Sequence, residues 1–230
     1  MTAAPRVLVI RRRYLGDIVL LGALLRNLRL HWPKAHLAVL VETQYADVVR
    51  LNPDANATIL LPKQASAFKG WARLVKALRS SRFTHVLDLD NTGKTAVLTR
   101  LTGAKMRIAL LHELPARLPR CYTHRVIDPP ELHENRSISD YYLQVLRPLG
   151  LEVLSQETRL HLQTPDLIEA RRLIEDLPFP APGPRLLVHP GSRSAFPSGP
   201  RSVLQRSLIE PTPSSRPTSF SSVDPRIKKP

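Results

Sequence analysis

The sequence predicts an α/β domain built on a mainly parallel sheet with helices on both faces. Short β-branched apolar runs alternate with longer segments that carry apolar residues on one side and basic residues around it. The alternation begins at once, because Arg6-Val-Leu-Val-Ile10 is followed by the polar loop Arg11-Arg-Arg-Tyr-Leu-Gly16-Asp17 and then by a long apolar stretch. A chain of 230 residues that is 43% hydrophobic can bury one substantial core, and it falls short of two full doubly wound domains.

The elements follow in order. Residues 6–10 form a first strand and 18–25 open a buried helix; 36–41 form a second strand, 44–51 a short helix, and 57–61 a third strand stopped by Pro62. The helix expected over 68–80 places Trp71, Leu74, Val75 and Leu78 on one face, with Lys69, Arg73, Lys76 and Arg79 around it. A fourth strand spans 83–89, a helix 92–101 ends at Gly103, and 106–110 supply a fifth strand. The stretch 111–130 reads as a proline-punctuated basic loop with Arg117 and Arg120, of a kind that is either functional or a surface excursion. Residues 136–149 return to a helix closed by Gly150, with Tyr141 and Tyr142 as core filler, and 165–177 form a further amphipathic helix.

Composition narrows the partners. A formal net charge of +15 calls for anionic ones: nucleic acid, an acidic membrane surface, or phosphorylated and carboxylated substrates. The lone Cys121 excludes a disulfide framework and a zinc cluster and fits a reducing cytosol. No stretch reaches the apolar length that crosses a bilayer, and Arg11 to Arg13 interrupt the start of the chain too early for a signal peptide. The expected location is cytoplasmic.

In open parallel sheets the ligand crevice lies beyond the carboxyl ends of the strands, which places Asp17 beside the chemistry of such a fold and near a helix N-terminus. An Asp in that position either caps the helix or works in a site. Past a proline-dense linker at 178–184, Arg185-Leu-Leu-Val-His189-Pro-Gly191-Ser192-Arg193 reads as a strand entering a turn whose amides and hydroxyl suit a phosphate. Beyond Phe196 the chain is rich in Pro and Ser and lacks a periodic apolar face, so 197–230 are expected to be disordered.

Several of these features occur together in one family. The Leu15-Gly16-Asp17 turn after the first strand, the helix end Leu28-Arg-Leu-His-Trp-Pro33, the helix end Leu101-Thr-Gly-Ala104 and the turn His189-Pro-Gly-Ser-Arg193 after a proline linker resemble the glycosyltransferase family 9 heptosyltransferases, over about residues 5 to 196. The resemblance implies a GT-B architecture, two Rossmann-like domains with the active site in the cleft between them. It also implies inverting, metal-independent transfer of heptose from an ADP-activated donor to the lipopolysaccharide inner core, with no cofactor. The family's acidic residue of the first loop maps to Asp17, which favours a general base over a cap. Arg11, Arg12, Arg13, Arg117 and Arg120 become counter-charges for the anionic lipid A core, and Gly191 and Ser192 the start of the donor site.

The departures are informative. The Lys, the Trp-Pro pair and the later Asp-Thr-Gly-type donor loop of relatives are missing after Phe196, as a truncation or a change of reading frame would leave them. The expected organisation is therefore a Rossmann-like acceptor-side domain at 1–177, the linker 178–184, a remnant of the donor domain at 185–196 and a non-homologous tail at 197–230. The expected partners are the ADP-sugar, the anionic lipid A core and, peripherally, the anionic inner membrane. A non-catalytic module for anionic glycolipid or membrane surface is the alternative. A nucleic-acid-binding role has only the charge behind it, since the sequence contains no recognisable module for it.

Overall fold

Side chains of β1, Arg6–Ile10, alternate between two cores, and this one strand explains the layering of the domain. Val7 and Val9 point to one face of the sheet, Leu8 and Ile10 to the other, and all four are fully buried. A strand apolar on both sides must be covered on both sides. The structure is a computed structural model that describes residues 4–62, 67–111, 118–127 and 137–176.

Six strands, all paired in parallel, lie in the order β3-β2-β1-β4-β5-β6. β2 is His36–Val41, β3 Ala57–Leu60, β4 His85–Asp88, β5 Met106–Leu111 and β6 His124–Ile127. The first face carries α1 (Leu15–Leu20), α2 (Gly22–His31), α3 (Ala46–Arg50) and α6 (Ile138–Leu143), which bury Ile18, Leu24, Leu28, Val49 and Tyr142 against Val7, Val9, Leu37 and Val39. The second face carries α4 (Ala67–Ser80) and α5 (Gly93–Leu101), whose Leu74, Leu78 and Leu98 close over Leu8, Ile10, Ala38 and Leu40. The strand order turns around between β1 and β4, the point at which folds of this kind open their crevice.

Most elements occupy the stretches expected for them, and three differ for physical reasons. The helix expected over 18–25 begins earlier and is two helices meeting at Leu21. The first residue of the second is Gly22, where a Cβ would lie 2.7 Å from Thr158 Cγ2. The stretch 111–130 is not all loop, because β6 pairs with β5 at one edge of the sheet. His124 and Arg125 are exposed, so this edge strand lacks the continuous apolar run that marks its buried neighbours. The helix expected over 136–149 is α6 followed by a 3₁₀ segment, Gln144–Leu149, that contains Pro148, which has no N–H to donate. Gly150 ends it in the left-handed region at φ 67°.

After Gly150 the chain runs back across α2 without regular structure and is held there by one buried side chain. Asn27 Nδ2 donates to Ser155 O at 2.6 Å, and its Oδ1 accepts from Leu154 N–H at 2.6 Å and Ser155 N–H at 3.2 Å. The domain runs to Leu162, and a second compact unit opens at Gln163 with α7, Thr164–Glu175, whose N-terminus is a Gln163–Asp166 capping box with Pro165 in the first turn. The expected linker at 178–184, the strand and turn at 185–196 and the tail at 197–230 lie outside the described residues.

The Gly22–Thr158 contact supplies a stability test. Gly22→Ala should destabilise the domain by about 1–3 kcal/mol, the usual cost of overpacking a tight contact, and Thr158→Ser should recover much of that by removing Cγ2. Urea unfolding of the two single variants and the double variant measures the coupling. Strict additivity would mean that the two sites do not touch.

Candidate active site

At the carboxyl ends of β1 and β4 the two strands run in register, Ile10 opposite Asp88, so the loops that follow emerge side by side. The first loop supplies Arg11, Arg12 and Arg13; the second supplies Asp90 and Asn91. Asp90 joins them. Its carboxylate accepts from Arg11 Nη1 at 3.1 Å through Oδ1, and through Oδ2 from Arg12 Nε at 2.5 Å and the Arg12 backbone N–H at 3.1 Å. Its side chain keeps only 7% of its surface exposed. A nearly buried carboxylate is tolerated here because two guanidiniums meet it.

Arg11 passes the constraint onward. Its Nη1 also donates to Leu89 O at 3.3 Å, its Nη2 pairs with Asp17 Oδ2 at 2.5 Å, and its guanidinium carbon lies 5.6 Å from the centre of the Tyr142 ring. The Tyr142 hydroxyl is buried close to Asp17; burial pushes its pKa up, the Arg11 charge pulls it part of the way back, and the Asp17 carboxylate pushes it up again. Asp17 is the third residue of α1 rather than its cap. Tyr14 holds the cap position, no side chain caps the helix, and the Asp17 carboxylate lies at the positive end of a first turn with 20% of its side chain open to solvent.

Behind this layer sits Asp88, fully buried as the last residue of β4. Its Oδ1 accepts the backbone N–H groups of Asp90 and Asn91, both at 3.1 Å, and its Oδ2 accepts the Tyr122 hydroxyl at 2.7 Å. Desolvation raises its pKa to about 6 against the opposing pull of those hydrogen bonds, and the nearby Asp90 charge adds to the rise. Burial and the Asp88 carboxylate both push the Tyr122 phenol up, which keeps it a donor. Asp88 thus shapes the turn that aims Asp90, with Asn91 held at φ 43°, in the left-handed region.

The expected site residues separate into groups. Arg11 and Arg12 turn inward to carboxylates, with side chains 19% and 14% exposed. Arg13 is half-exposed and pairs with Glu42 at 3.3 Å, its one ion-pair partner among the described residues. Arg120 is exposed in the short turn Pro119–Cys121 ahead of β6. Arg117, Gly191 and Ser192 lie outside the described residues. Tyr142 fills the core as expected and is also the ring beneath Arg11. Asp88, Asp90, Glu42 and Tyr122 escaped the sequence reading, although Leu87-Asp-Leu-Asp-Asn-Thr-Gly93 is a signal for the first two: acids directly after an apolar strand, ahead of a helix. Among the described residues, no three His, Cys, Asp or Glu side chains gather as metal ligands.

No protein-family model matches the chain. A lipopolysaccharide heptosyltransferase 3 of Escherichia coli is 27% identical to it over 154 residues, which are 64% of this chain and 44% of the relative. Two solved structures share the fold at 18% identity: a family 9 glycosyl transferase from Veillonella parvula at TM-score 0.64, covering 76% of this chain and 50% of its own, and the Escherichia coli ADP-heptose lps heptosyltransferase II at TM-score 0.56, covering 74% and 50%. The chain spans half or less of the length of these proteins.

The raised Asp88 pKa gives a pH prediction. A folded-state pKa above that of the unfolded chain means that the native state holds the proton more tightly, so the stability it contributes is full below about pH 4 and is lost as pH rises through about 6. Asp88→Asn, which cannot ionise, should therefore gain on the parent by roughly 2–3 kcal/mol between pH 4 and pH 7, on top of any constant offset. Urea unfolding at both pH values measures the double difference. An offset that ignores pH would show that Asp88 does not titrate in this range.

Proposed function

We propose that this chain is heptosyltransferase-like, of glycosyltransferase family 9, and that the crevice at the ends of β1 and β4 is the acceptor side of a sugar-transfer site with Asp17 as general base. The observation that carries the reading is the placement of Asp17, a partly open carboxylate at the topological switch point, oriented by an arginine that is itself anchored to the loop after β4. The acceptor hydroxyl gives its proton to Asp17 as its oxygen attacks the anomeric carbon. The bond from that carbon to the diphosphate breaks on the opposite face, and the nucleotide leaves with the electron pair. The transfer is inverting and draws on no metal ion.

In this reading the donor is an ADP-activated heptose, the compound class named for the Escherichia coli heptosyltransferase II that shares the fold. Gly191 and Ser192 would contribute to holding its phosphates. The acceptor is the anionic lipid A core, met by the exposed cations Arg13 and Arg120 and by Arg117, while Arg11 acts as a positioning residue for Asp17. The protein works at the cytoplasmic side of the inner membrane in peripheral contact with it. No helix among the described residues is long and apolar enough to cross a membrane.

In a version restored to the full length of its relatives and assayed with ADP-heptose and a phosphorylated lipid A core acceptor, Asp17→Asn should lower turnover by about two to four orders of magnitude with little change in KM, as loss of a general base does. Turnover near the parent's would remove Asp17 from the chemistry. Independently of turnover, Arg117→Gln with Arg120→Gln should weaken binding of that acceptor more than binding of a neutral detergent micelle. Equal losses on both would leave these arginines as solvated surface charge.

A further inference from the structure

The residues from 55 to 112 include ten Lys and Arg but only two acids, Asp88 and Asp90, and both acids belong to the crevice. The second helical face of the sheet is built from this stretch. On α4, Lys69, Arg73, Lys76 and Arg79 are all exposed, the helix contains no acidic residue, and none of these four cations has an ion-pair partner among the described residues. Neighbouring α5 adds exposed Lys94 and Arg100. Apolar surface lies among the charges: Trp71, Ala72 and Val75 line an open groove of about 520 Å³ together with Lys76, Arg79 and Ser80.

We propose that the α4–α5 face is a docking surface for an anionic lipid bilayer, with Lys and Arg on the headgroups and the Trp71 groove at the boundary with the acyl chains. Charge complementarity selects an anionic partner, and the apolar groove within the basic field selects a lipid surface over a nucleic acid. Trp71 is half-buried against the second core and lines the groove beside Ala72 and Val75, an apolar wall among cations that suits acyl chains. A Trp held at this depth, with basic side chains around it, matches the chemistry of a bilayer interface. The inference rests on the proposed peripheral membrane contact for its partner and is independent of the chemistry at Asp17.

Co-sedimentation of the full chain with phosphatidylcholine vesicles, and with vesicles that also contain phosphatidylglycerol, tests it. The expected result is binding only when the anionic lipid is present, lowered at least about tenfold by Lys76→Gln with Arg79→Gln, since each cation near an anionic surface contributes about fivefold. The same charge removal on the opposite side, Lys34→Gln with Arg50→Gln, should change it little. In a Trp32→Phe background, the remaining Trp71 emission should shift to the blue on addition of anionic vesicles. Failure to bind either vesicle would overturn the membrane contact itself. Binding that both double variants weaken equally, or that leaves Trp71 emission unmoved, would keep that contact and overturn this face. Tighter binding to duplex RNA at matched phosphate concentration would assign the face to nucleic acid instead.

Discussion

One carboxylate, Asp90, holds the crevice together. It lies between Arg11 and Arg12, which belong to the loop after β1, while its own backbone belongs to the loop after β4. The two loops on either side of the switch point are thereby joined at the position where a ligand would enter. Three charges with little access to water are stable only as a set, because removing one member of a buried ion cluster strands the others at a cost of about 3–5 kcal/mol. The geometry of Asp17 follows from this set. Arg11 reaches Asp17 with one end of its guanidinium while Asp90 and Leu89 O hold the other.

The support continues inward through further side-chain and backbone groups. Asp88 gathers two amides of the following turn and the Tyr122 hydroxyl, and Tyr122 stands just before β6 at the edge of the sheet. Tyr142, from α6, fills the space under Arg11 and belongs to the first core. The candidate base is thus fixed by residues from β1, β4, the approach to β6 and α6. Such a site depends on the whole sheet being assembled, and a cluster of this kind is high in cost when half satisfied and rigid when complete.

Where the sequence was legible, one local signal sufficed. The bounds of β1 and β2 could be read because each is an uninterrupted apolar run that ends at a polar residue, and the amphipathic spacing of Trp71, Leu74, Val75 and Leu78 marked α4. β6 was hidden because its first two residues, His124 and Arg125, are exposed, and its pairing with β5 is invisible to any local pattern. The need for glycine at position 22 was hidden for a related reason. Gly22 is required by Thr158, 136 positions further along the chain.

The candidate site divides in the same way. Sequence alone determined that Asp17 follows the first strand, and therefore that it lies on the ligand side of a parallel sheet, because strand direction and the strand-to-helix turn are local properties. Sequence also determined the excess of positive charge and its concentration on α4. Only the tertiary structure decided what the positive charges do: Arg11 and Arg12, expected to face an anionic ligand, are taken up by Asp17 and Asp90, whereas Arg13 remains half-open beside Glu42. Charge pairing depends on which strands are neighbours, and β1 lies beside β4 only after the intervening chain has folded away to form β2, β3 and the helices between them.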